Sequence, residues 1–96
     1  MNPFFGELSR RLAVGAKDRG VEIEAPEIDS RVAFELLELA RVAGHTQERR
    51  FAPLACFLAG VAFERLRAGR PALTSAEVAA YVNEVRQSLG SRSGPE

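Results

Sequence analysis

The stretch Arg41–Gly60, RVAGHTQERRFAPLACFLAG, decides how this chain folds. Its opening residues close an amphipathic pattern, Gly44 to Arg50 form a polar turn, and from Phe51 onward the side chains are apolar almost without a break. Pro53 fits a first helical turn, where its missing N–H is harmless, and would clash further in. A helix is therefore expected to start near Arg50 to Pro53 and to end before Gly69-Arg70-Pro71. Within it Ala52, Cys56 and Gly60 fall four apart, as do Ala55 and Ala59, while Leu54, Phe57, Leu58 and Val61 occupy the rest of the surface. A helix apolar nearly all round is either central to a bundle or buries one face against another chain. Its small residues would let a neighbouring helix come close.

Working outward, the same logic gives three more helices. Asn2-Pro3 reads as a cap followed by a first helical position, and Phe4, Phe5, Leu8, Leu12 and Ala16 share one face of a helix over 3–18. Gly20 supplies a left-handed stop. Val21, Ile23 and Ile28 then alternate with Glu22, Glu24 and Glu27 around Pro26, which predicts an extended acidic connector, with a short strand as the alternative. Asp29 or Ser30 caps a second helix whose stripe is Val32, Leu36, Leu39, Ala40 and Ala43, widened by Phe34 and Leu37 and ended by Gly44. Thr74-Ser75-Ala76-Glu77 is a capping box, and Val78, Val82, Val85 and Leu89 follow at helical spacing to a stop at Gly90. The expected architecture is all-α, a small bundle of about four helices with a central apolar third helix. Residues 1–90 make one domain and residues 91–96 a disordered tail.

Composition narrows the function. The 96 residues are 46% hydrophobic and 27% charged, enough for one core and too few for a catalytic domain with a substrate domain beside it. Thirteen basic and thirteen acidic side chains cancel, so no global field gathers nucleic acid or an anionic membrane. The start of helix three also lacks the polar side chains a recognition helix needs to reach base edges. A single cysteine excludes an intrachain disulfide, and the apolar run Phe51 to Phe63 falls well short of the roughly 20 residues that span a bilayer. A cytoplasmic location is expected, without a membrane or nucleic-acid partner.

The richest chemistry lies at His45, Arg49 and Arg50, just before or within the first turn of helix three, where backbone N–H groups and the helix dipole favour an anion. The plainer alternative is that His45 caps the end of helix two while an arginine pairs with Glu48 or Glu38. One histidine and one cysteine cannot build a zinc site, and Cys56 in an apolar helix reads as a packed, inert thiol. No catalytic residue, metal or cofactor is expected.

Leu39-Ala40-Arg41, His45, Arg49, Ala52-Pro53-Leu54, Phe57-Leu58 and Gly60 together give His-x-x-x-Arg-x-x-x-Pro-Leu followed by an apolar, glycine-containing helix. Over Leu37 to Gly60 this resembles an uncharacterised small helical bacterial domain family found alone or attached to molybdenum-cofactor guanylyltransferase-type proteins. Gly44 stands where that pattern suggests alanine, and Arg50-Phe51 replaces a more proline- or alanine-like pair; the first thirty residues and helix four carry no signature of it. The resemblance implies a molecular neighbourhood and brings no activity. The leading expectation is a non-catalytic accessory domain that binds a protein partner through His45, Arg49 and Arg50, in molybdenum-cofactor or molybdoenzyme maturation. The alternatives are a binder of a small, nucleotide-like anion and a self-associating module, as a homodimer.

Overall fold

The structure, a computed structural model, describes residues 2–92. It is all-α: α1 (Pro3–Asp18), α2 (Ser30–Thr46), a 3₁₀ turn (Arg49–Phe51), α3 (Ala52–Gly69) and α4 (Ser75–Arg92), with no strand among the described residues. The chain divides into two compact units, Met1–Ser30 and Arg31–Glu96.

The first unit is α1 and the connector. Asn2 accepts the Phe4 N–H on its side-chain oxygen at 2.8 Å, and Pro3 occupies the first turn without wasting a donor. At the other end Gly20 has φ +85°, and its N–H and that of Val21 donate to the Lys17 and Ala16 carbonyls at 2.9 and 3.0 Å. Only a residue without Cβ takes that left-handed turn freely. Residues 21–29 form neither helix nor strand, and the Ser9 hydroxyl donates to the Pro26 carbonyl. No residue of α1 is buried; Phe4, Phe5, Leu8 and Leu12 all remain exposed.

The second unit holds the core. Val32 of α2 and Val78 and Ala79 of α4 are buried together, with Leu36, Phe63 and Leu73 packed on them. Leu39 and Val82 are also buried. Val78 is fully enclosed, and burying a side chain of its kind is worth about 2 kcal/mol. The capping box forms as its sequence requires: the Glu77 N–H donates to Thr74 Oγ1 at 3.1 Å and the Thr74 N–H donates to Glu77 Oε1 at 2.9 Å.

Four details differ from the sequence reading. Phe34 and Leu37 do not widen the buried stripe of α2 but are 57% and 69% exposed, because each lies two residues, about 200° of helix rotation, from Val32 or Leu39. Gly44 does not end α2. The helix runs on to Thr46, whose hydroxyl donates to the Val42 carbonyl at 2.8 Å, because at Gly44 the backbone never turns left-handed. Likewise α4 continues through Gly90 to Arg92; residues 93–96 of the expected tail lie outside the described residues. Finally, α3 touches both α2 and α4 but is not enclosed by them. None of its residues is buried.

Candidate functional site

His45 sits in the last turn of α2, and Arg49 and Arg50 lie in the 3₁₀ turn that leads into α3; all three are exposed. A cation-capable side chain in a last turn complements the negative end of the α2 dipole. Arg50 pairs with Glu48, Nε to Oε1 at 3.1 Å, and its guanidinium carbon lies 6.0 Å from the centre of the Phe51 ring. Glu38 is engaged elsewhere, with Arg41 at 3.0 Å. The 3₁₀ geometry changes the chemistry of the helix start. The Phe51 N–H donates to the Glu48 carbonyl at 2.9 Å, the Ala52 N–H donates to the Arg49 carbonyl, and Pro53 has none to offer. An anion at this turn would be met chiefly by side chains, with Glu48 offsetting one of the two guanidiniums.

Next to this turn in sequence is a group of exposed apolar side chains on α3. Leu54, Phe57 and Leu58 of α3 are 60%, 68% and 67% exposed. At 100° per residue they fall on the side of α3 away from Phe63, the side chain that joins the core. Beside Leu58, an apolar groove of about 300 Å³ runs between α3 and α4, with Leu39 among its walls and Ala55, Ala59, Tyr81, Val85 and Leu89 along its length. The second half of the α4 stripe, Val85 and Leu89, is therefore not closed over as Val78 and Val82 are. Among the described residues, Gly60 meets no atom within 4 Å of where a Cβ would stand, so the glycine is not needed there for a close packing contact.

Two polar features lie apart from that surface. Glu35 of α2 accepts from Asn83 Nδ2 at 3.2 Å and from Arg86 Nη2 at 3.4 Å, and the Glu35 and Arg86 side chains are largely withdrawn from solvent. Sequence reading passed over this cluster, because its members are 48 and 51 residues apart and none belongs to a motif. It fixes the register of α2 against α4, although Arg86 Nε is buried with no acceptor. The Cys56 thiol donates to the Leu36 carbonyl at 3.4 Å, and burial pushes its pKa up, which disfavours the reactive thiolate. Among the described residues, no three or more His, Cys, Asp and Glu side chains are grouped to hold a metal ion, and no helix is long and apolar enough to cross a membrane.

The chain belongs to the DUF6457 family, a domain of unknown function, whose model matches residues 1–95. The match takes in the first thirty residues and helix four, which the resemblance read from Leu37–Gly60 did not reach. No curated protein and no solved structure matches the chain.

Proposed function

We propose that this DUF6457 chain is a non-catalytic helical accessory domain that binds a protein partner, with the outer face of α3 as the contact area and His45, Arg49 and Arg50 as its charged edge. One observation carries this reading: Leu54, Phe57 and Leu58 stand exposed in a row on a helix that buries none of its residues. Contiguous apolar surface of this kind is characteristic of sites that meet another macromolecule. Arginine and aromatic side chains, here Arg50 with its guanidinium carbon 6.0 Å from the Phe51 ring centre and Phe57 further along α3, are residue types enriched where interfaces hold most of their energy. Burial pushes the Cys56 thiol pKa up, which disfavours Cys56 itself as a nucleophile.

The pattern running from Leu39 to Gly60 is the reason for choosing the partner among molybdenum-cofactor guanylyltransferase-type proteins. A small nucleotide-like anion is the weaker reading, since Glu48 neutralises Arg50 and two of the turn's N–H groups are already used. Calorimetric titration of the chain into such a guanylyltransferase-type protein tests the proposal. Saturable binding is expected, weakened in Arg49→Ala by on the order of 1–3 kcal/mol, the scale of a lost charge-assisted hydrogen bond. Absence of heat with the protein, together with saturable binding of a guanine nucleotide alone, would favour the anion reading.

A further inference from the structure

We draw no further inference here: the strongest candidate, the apolar groove between α3 and α4 walled by Leu39, Ala59, Tyr81 and Val85, carries nothing because nothing in the structure shows what fills it.

Discussion

Thr74 and Glu77 show how much a four-residue motif settles at the scale of single side chains. Each satisfies the other's backbone N–H, so the first turn of α4 has few orphan donors. Replacing Thr74 by alanine is expected to lower stability by about 1 kcal/mol, measured by urea unfolding. The bonds from Thr74 also hold the Glu77 carboxyl below its usual range, first the backbone N–H and then the hydroxyl. A carboxylate whose folded pKa is depressed adds stability that is fully present above the unfolded value of about 4.3 and is lost as pH falls through the folded value. The pH dependence of unfolding below about 4.3 should accordingly flatten in Glu77→Gln relative to the parent chain. An unchanged acid slope would remove the carboxylate from the account. This cap was legible in the sequence because every atom it uses lies within one turn. The fate of His45, Arg49 and Arg50 was not, since local spacing says nothing of exposure or of the 3₁₀ bonds that occupy the Phe51 and Ala52 N–H groups.

Between elements, the helices themselves were readable from the 3.6-residue period, and three of their ends were set by Asn2, Gly20 and Thr74, residues with one clear local role. What periodicity left undecided was which side of each helix meets another. Phe34 and Leu37 are as apolar as Leu36 and Leu39 yet face solvent, and Glu35 looks like a surface carboxylate yet bridges α2 to α4. That bridge makes its own forecast. Removing either partner of a largely buried ion pair strands the other, so Glu35→Ala or Arg86→Ala should each lower stability by about 3 kcal/mol. The double variant Glu35→Ala with Arg86→Ala should lose clearly less than the sum of the two single losses in the same unfolding assay, and additive losses would mean the pair is not coupled. Gly60 gives the opposite sign. It lies inside α3 with open space at its Cβ position, so Gly60→Ala should raise stability by about 1 kcal/mol, and a loss would reveal a neighbour packed against it.

For the molecule as a whole, α3 is the decisive element. Its core contribution is Phe63, while Leu54, Phe57 and Leu58 remain in water, and surface of that kind associates when a complementary surface is present. In the absence of a partner, sedimentation over a wide concentration range is expected to approach twice the 10.5 kDa chain mass at high micromolar concentration. A fixed monomer mass across that range would rule out self-association. The most direct measurement is made on Phe57→Glu. Chain captured from extracts of its source organism should bring down a protein that the variant loses, while the variant's melting temperature stays within about 2 °C of the parent, as expected for a surface substitution worth less than about 0.5 kcal/mol. A variant that unfolds as readily as Val78→Asp would place Phe57 in the core, and one that captures the same proteins undiminished would remove α3 as the contact; either result contradicts the account.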